Sequence, residues 1–204
     1  QEARGAVAGQ AVNVASVESA LRGTSEGSAA FGNSTMMFAA NSPGGATAIA
    51  DGLNPSMPGA ASYGGGTTST TPLPLLRETF ETNFFATVAL TQTLLPLIRK
   101  SEAGRIVNLT SILASLTMHS TQTSPVYNSK TFAYDASKAA LNLFTIHLAH
   151  ELRRTKIKVN SAHPGWVKTE MGVPGAQMEI VEGAKISVQL ATLVEDGSTG
   201  GYFH

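Results

Sequence analysis

From Leu75 to the end of the chain, segments with helical apolar spacing alternate with short apolar runs, and that order leaves few folds open. Leu75, Leu76, Phe80, Phe84, Val88, Leu94, Leu95 and Ile98 keep one helical face and lead to Arg99-Lys100, cations suited to a helix C-terminus. Arg105-Ile-Val-Asn-Leu-Thr-Ser111 follows a glycine and reads as a strand. Phe132 to Arg154 reads as a second long helix, with Leu141, Phe144, Leu148 and Leu152 as its core stripe. Lys156-Ile-Lys-Val-Asn160 alternates like a strand and runs into His163-Pro-Gly165. A third helix is expected near Val181 to Leu193, then a final strand at Gly201 to His204. Strands separated by helices are joined by crossovers, which make neighbours parallel and cover both faces of the sheet. The expected class is therefore α/β in three layers, with ligands at the carboxyl ends of the strands.

The first 74 residues differ in character. They hold 12 of the 20 glycines and no lysine, and runs such as Ser42-Pro-Gly-Gly45 and Tyr63-Gly-Gly-Gly66 read as loops. A weak helix is expected around Ala15 to Leu21 and a short buried strand at Thr35 to Ala40. A chain of 204 residues suits one domain, in which 1–74 is the less regular part and 75–204 carries the chemistry.

The bulk numbers exclude several function classes. A formal charge of zero with a pI near 7.2 offers nothing to nucleic acid or an anionic membrane. With no cysteine there is no disulfide, thiolate nucleophile or cysteine zinc site, which suits a reducing cytoplasm. The lack of a bilayer-length apolar run and of a signal peptide points to a soluble, intracellular protein.

Tyr134 and Lys138, in Ala133-Tyr-Asp-Ala-Ser-Lys-Ala-Ala-Leu141, stand four apart and so share a helical face. A free tyrosine, with a pKa near ~10, is a poor acid or base at neutral pH. A cation beside it stabilises the phenolate and turns the pair into a proton-transfer device.

Four segments in order resemble the short-chain dehydrogenase/reductase family, a Rossmann-type group of nicotinamide-dependent oxidoreductases. Tyr134-Asp-Ala-Ser-Lys138 is similar to its Tyr-x-x-x-Lys motif, Ile106 to Ser111 to the strand ending in its serine, and Asn83 in Glu81-Thr-Asn-Phe-Phe85 to its helix asparagine. Val159 to Thr169 resembles the segment at the nicotinamide end, and His163-Pro-Gly-Trp-Val-Lys-Thr-Glu-Met171 fits the carbonyl-reductase-like branch. The resemblance covers about Leu75 to His204.

The resemblance implies a doubly wound parallel sheet and hydride transfer between NADP(H), ranked ahead of NAD(H), and a small-molecule carbonyl or alcohol. It makes Ser111 the hydrogen-bond donor to the substrate oxygen and Tyr134 the acid/base. Lys138 would hold the ribose hydroxyls and lower the tyrosine pKa, and Asn83 would anchor a water leading to Lys138. The Val167 backbone and the Thr169 hydroxyl would meet the carboxamide or a phosphate, with Pro164 and Gly165 letting the main chain come close. The oligomeric state stays open, although the helices from Leu75 and Phe132 pair in relatives that form homo-oligomers.

The same comparison shows departures. The family's opening strand, Thr-Gly-x-x-x-Gly-x-Gly turn and helix are not recognised in residues 1–74, so the first βαβ segment is expected to be lacking. Thr35 to Phe38 would lie on the fourth strand, and Asn41 would be the cofactor contact at the family's Asn-Asn-Ala-Gly turn. A catalytically inactive nucleotide-binding sensor or scaffold of the same fold is the rival reading. The step from Ser111 to Tyr134 is long for the family and implies an inserted loop at about Thr117 to Thr131, shaping the substrate pocket.

Other signals are set aside. Tyr127 and Lys130 are three apart in a loop-like stretch, and His147 and His150 form no His-Glu-x-x-His motif for zinc. Ser111 lacks the Gly-x-Ser-x-Gly frame of a hydrolase nucleophile.

Overall fold

In the computed structural model the described residues are 4–7, 10–13, 36–40, 47–50, 67–169 and 175–204. Strands β1 (Arg4–Val7) and β2 (Gln10–Asn13) pair antiparallel as a separate ribbon. The main sheet contains β3 (Met36–Ala40), β4 (Thr47–Ala50), β5 (Gly104–Leu109), β6 (Lys158–Ala162) and β7 (Tyr202–Phe203), in the order β4-β3-β5-β6-β7. Among the described residues the α-helices are α1 (Leu73–Phe80), α2 (Ala86–Ile98), α3 (Leu116–Ser120), α4 (Phe132–Glu151) and α5 (Ile180–Ala191).

The half that holds the candidate site is the expected parallel α/β arrangement. β5 and β6 run parallel with Ile106 opposite Val159 and Leu109 opposite Ala162, joined through α4. β6 and β7 are parallel and joined through α5. Both strands at the centre are buried almost throughout, as a sheet covered on two faces requires. The two faces follow from the two-residue strand period. Ile106 and Val159 pack with Leu90, Leu148, Leu152 and Ile157 beneath α2 and α4, while Val107 and Ala162 pack with Leu190 and Ala191 of α5. Full burial of Ile106, Val159 or Leu152, each 0% exposed, contributes about 1.5–3 kcal/mol.

Polar groups inside this half fix α4 on the sheet. Asn108 Nδ2 donates to Thr145 Oγ1 at 2.9 Å, and Ser161 Oγ donates to the same oxygen at 2.9 Å. Thr145 in turn donates to Leu141 O at 3.1 Å. One threonine thus joins β5, β6 and α4 in a region where unpaired polar groups would be costly.

The all-parallel expectation fails at the other edge. Met36–Ala40 is a strand, as its apolar run predicts, but it pairs antiparallel with β5, Phe38 facing Ile106, and antiparallel with β4. Six residues separate β3 from β4, a link short enough for a hairpin and too short for a parallel crossover. Two reversals leave β4 parallel to β5, so α1 and α2 lie on a crossover that steps over β3. The weak helix expected at Ala15 to Leu21 falls outside the described residues.

The long first helix is interrupted. Between α1 and α2 the residues Glu81–Phe85 form a π-helical turn that includes Asn83. Phe80, Phe84 and Phe85 cluster around it, with Phe84 and Phe85 edge to face at 5.3 Å. Among the described residues no helix is long and apolar enough to cross a membrane.

Candidate active site

β5 and β6 end together, since Thr110 N–H still donates to Ala162 O at 2.8 Å. Ser111 and His163 therefore leave the sheet side by side at the carboxyl ends of adjacent parallel strands, where the topology places ligands. Ser111 keeps extended geometry and caps a short 3-10 turn, Ile112–Ala114, accepting Leu113 N–H on its Oγ at 3.2 Å. That turn packs against α4.

Helix α4 brings Tyr134 and Lys138 to the same end. Lys138 is 3% exposed. Its Nζ donates to Leu109 O at 3.0 Å and lies 5.7 Å from the centre of the Tyr134 ring. Desolvation by burial lowers its pKa from the ordinary 10.5 to about 8. Leu109 is two residues before Ser111, so this one ammonium ties the strand bearing the serine to the helix bearing the tyrosine. A cation at that distance from an aromatic face is also favourably placed in its own right.

Asn83 joins the set through Ser137, a residue that no motif in the sequence marks. Its Nδ2 donates to Ser137 Oγ at 3.0 Å, and Ser137 Oγ donates to Tyr134 O at 2.8 Å. Ser137 lies three positions after Tyr134 and one before Lys138, so helical spacing could have marked it as inward-facing. The π turn aims Asn83 at α4, and such turns are frequent at functional sites. The Asn83 amide thus reaches the lysine's helix through the Ser137 hydroxyl.

The Pro164 to Thr169 segment continues from β6. Gly165 has φ +85°, and a Cβ there would sit 2.7 Å from Met178 Cε and 2.9 Å from Met178 Sδ. Gly183, in the first turn of α5, admits no Cβ without striking the Val167 side chain, and its Cβ position is 3.2 Å from Pro164 O. Met178 runs alongside as a short parallel bridge to Val167, with Lys168 N–H donating to Met178 O at 2.9 Å. The sequence does not mark Met178 and Gly183, because their part is set by what approaches them and not by their own neighbours. Val167 O already accepts Thr169 N–H at 2.9 Å, and Thr169 is exposed. Lys168 pairs with Glu179.

The backbone at 165 favours glycine, and the place of a Cβ there is taken by Met178. Lys138 has three ammonium protons, of which Leu109 O takes one, so the residues present fit a nicotinamide nucleoside. Asn41, the remaining cofactor expectation, lies outside the described residues.

Beside Gly165 is a stack of rings. His163 is buried, its ring 4.6 Å from that of His204 and 6.3 Å from that of Tyr202. Burial and the neighbouring His204 lower the His163 pKa to about 4. Burial raises that of Tyr202 to about 12.

The stretch from Thr117 to Thr131 carries α3 and a series of turns. Lys130 Nζ is 4.9 Å from the Tyr127 ring centre, so this pair fastens the loop to itself. His147 and His150 are both exposed on α4.

A family model described as short chain dehydrogenase matches residues 56–179. Estradiol 17-beta-dehydrogenase 2 of Mus musculus is 36% identical over 100 residues, 49% of this chain and 23% of that protein. Salutaridine reductase of Papaver bracteatum is 32% identical over 162 residues, 63% of this chain and 51% of the relative. The chain thus spans about half the poppy enzyme and less of the mouse one. The structure of an NADPH-bound carbonyl reductase from chicken fatty liver superposes with a TM-score of 0.57 at 27% identity, covering 67% of this chain and 57% of the other.

Proposed function

We propose that this chain, which belongs to the short-chain dehydrogenase family, carries the catalytic end of an NADP(H)-dependent reductase of small-molecule carbonyl compounds, with Tyr134 as proton donor. The observation that carries the proposal is the Lys138 ammonium, buried between Leu109 O and the face of Tyr134. A buried cation in that place has a purpose if a negative charge develops on the phenol oxygen.

When bound, the cofactor supplies the hydride. Ser111 accepts a hydrogen bond from Leu113 N–H, which leaves its own hydroxyl proton to point at a carbonyl oxygen. Tyr134 gives that oxygen its proton as the carbon is reduced, and Lys138 stabilises the resulting phenolate. Asn83, through Ser137, holds the tyrosine's turn of α4 in place. Gly165, at φ +85° with Met178 against it, sets the course of the main chain that would take the nicotinamide end. NADP(H) is placed ahead of NAD(H) because the similar chicken reductase has NADPH bound.

Tyr134→Phe in the full-length protein tests the role directly. The expected loss is on the order of 10²–10⁴ in turnover of an aldehyde, with NADPH binding, followed by nicotinamide fluorescence, retained. Unchanged turnover would eliminate Tyr134 as the acid. NADPH binding by the unmodified protein without oxidation by any aldehyde or ketone would favour the nucleotide-binding scaffold.

A further inference from the structure

We propose that His119 is a positioning residue of this site, a clamp that holds the turn after Ser111 against the helix residue next to Tyr134. The inference rests on the reductase reading for its purpose and on separate geometry for its existence.

His119 lies on α3, outside the four segments that define the site. Its Nε2 is 2.8 Å from Leu113 O and 3.4 Å from Asp135 Oδ2. Leu113 is the residue whose N–H caps Ser111 Oγ, and Asp135 follows Tyr134 directly. Asp135 is fastened in turn, since Thr131 donates to it from Oγ1 at 2.6 Å and from N–H at 3.0 Å. The other ring nitrogen faces Lys130, whose Nζ is 3.2 Å from Nδ1 and 3.0 Å from His119 O.

These partners assign the proton. Leu113 O and the Asp135 carboxylate only accept, whereas the Lys130 ammonium only donates. The arrangement is satisfied when Nε2 carries the hydrogen, shared between its two acceptors, and Nδ1 is the lone pair that receives Lys130. Both polar edges of the imidazole are then occupied by protein groups, which excludes a general-base role and leaves a mechanical one. The His119 and Asp135 side chains are 16% and 12% exposed, so these bonds are largely shielded from water.

The clamp closes a gap in how the site is held. Lys138 connects β5 to α4 below Ser111, and Asn83 connects the π turn to α4 behind Tyr134. The serine's turn packs on α4, and on the open side the 116–131 stretch adds a polar tie between that turn and the tyrosine's end of the helix. His119 makes that connection, and the Tyr127–Lys130 contact backs it. A small drift between donor and acid is expensive in rate, because the reaction needs both on one oxygen.

The test uses His119→Leu and His119→Gln in the full-length protein. Leucine removes the donor, while the glutamine amide can offer an N–H near the position of Nε2. We expect kcat for aldehyde reduction to fall on the order of tenfold or more in the leucine variant, with KM for NADPH unchanged and most of the rate restored by glutamine. Hydrogen exchange should quicken at residues 111–121 and 131–135 and stay slow in β5 and β6. Wild-type kcat in the leucine variant overturns the proposal, as does exchange that quickens equally in β5 and β6, the mark of a merely structural residue. If the unmodified protein reduces no carbonyl, the reductase reading fails separately and exchange alone decides the clamp. Local quickening then upholds the link between the two arms, and unchanged exchange removes it.

Discussion

The amide of Asn83 and the hydroxyl of Ser137, 54 positions apart in sequence, meet at 3.0 Å inside the protein, and the hydroxyl passes the contact on to Tyr134 O. Ser137→Ala removes the acceptor and leaves one buried amide proton of Asn83 to find another. The expected destabilisation is about 1–3 kcal/mol by urea titration. In a double-mutant cycle with Asn83→Ala the two losses should be less than additive, because both single changes break the same bond. Additive losses would show that the contact carries no energy.

Lys138 gives a pH signature. Its pKa is depressed in the folded state, from 10.5 to about 8. Between those values the unfolded chain binds more protons, so folding gains stability as pH rises across the window and carries the burial cost below about 8. Lys138→Met removes the charge, and its stability advantage over the unmodified protein should be largest near pH 7 and shrink toward pH 10.5. The pH-dependent part is up to about 3 kcal/mol. A stability difference that is flat over this range would refute the burial argument. Turnover should move the other way, falling by about 10² or more, since the phenolate loses its cation.

His163 titrates on the acid side. Its pKa is also depressed, from 6.5 to about 4, by burial and by His204. The unfolded chain protonates first as pH falls, so this histidine's contribution to stability is present above 6.5 and is lost on the way down to about 4. Phenylalanine keeps the stack on His204 and has no such titration. The midpoint difference between His163→Phe and the unmodified protein should therefore grow in the variant's favour as pH drops through that window. Thermal melts at pH 7, 5.5 and 4.5 measure it, and parallel curves would count against a neutral His163.

Gly165 is held at φ +85° with Met178 against the place of a Cβ. Gly165→Ala incurs the left-handed backbone penalty, about 1–2 kcal/mol, while the steric part is softer because Met178 can turn its methyl away. Adding Met178→Ala should restore only the steric share. Chemical denaturation of the single and double variants separates the two, and full recovery in the double would mean that the backbone is not strained.

Much of the fold was legible because it depends on local pattern. The spacing of Leu141, Phe144, Leu148 and Leu152 predicts α4, the run from Arg105 predicts β5, and the alternation at Lys156 to Asn160 predicts β6, each within a few residues of the observed bounds. The direction of β3 was not legible, because an apolar run reads the same in a parallel or an antiparallel partner. Nor was the π turn, since Phe80, Phe84 and Val88 suit an unbroken α-helix equally well.

The same division runs through the site. Residue spacing was enough to bring Tyr134 and Lys138 onto one helical face and to place Ser111 at a strand's end, for both are consequences of backbone period. Which groups these side chains would meet was settled only by the folded chain. Leu109 O against Lys138, Ser137 against Asn83, Met178 against Gly165 and His119 between Leu113 and Asp135 are all contacts across turns or between elements. Periodicity is written residue by residue, but burial, strand direction and the partners of buried polar groups arise when distant segments close on one another, and no local pattern contains them.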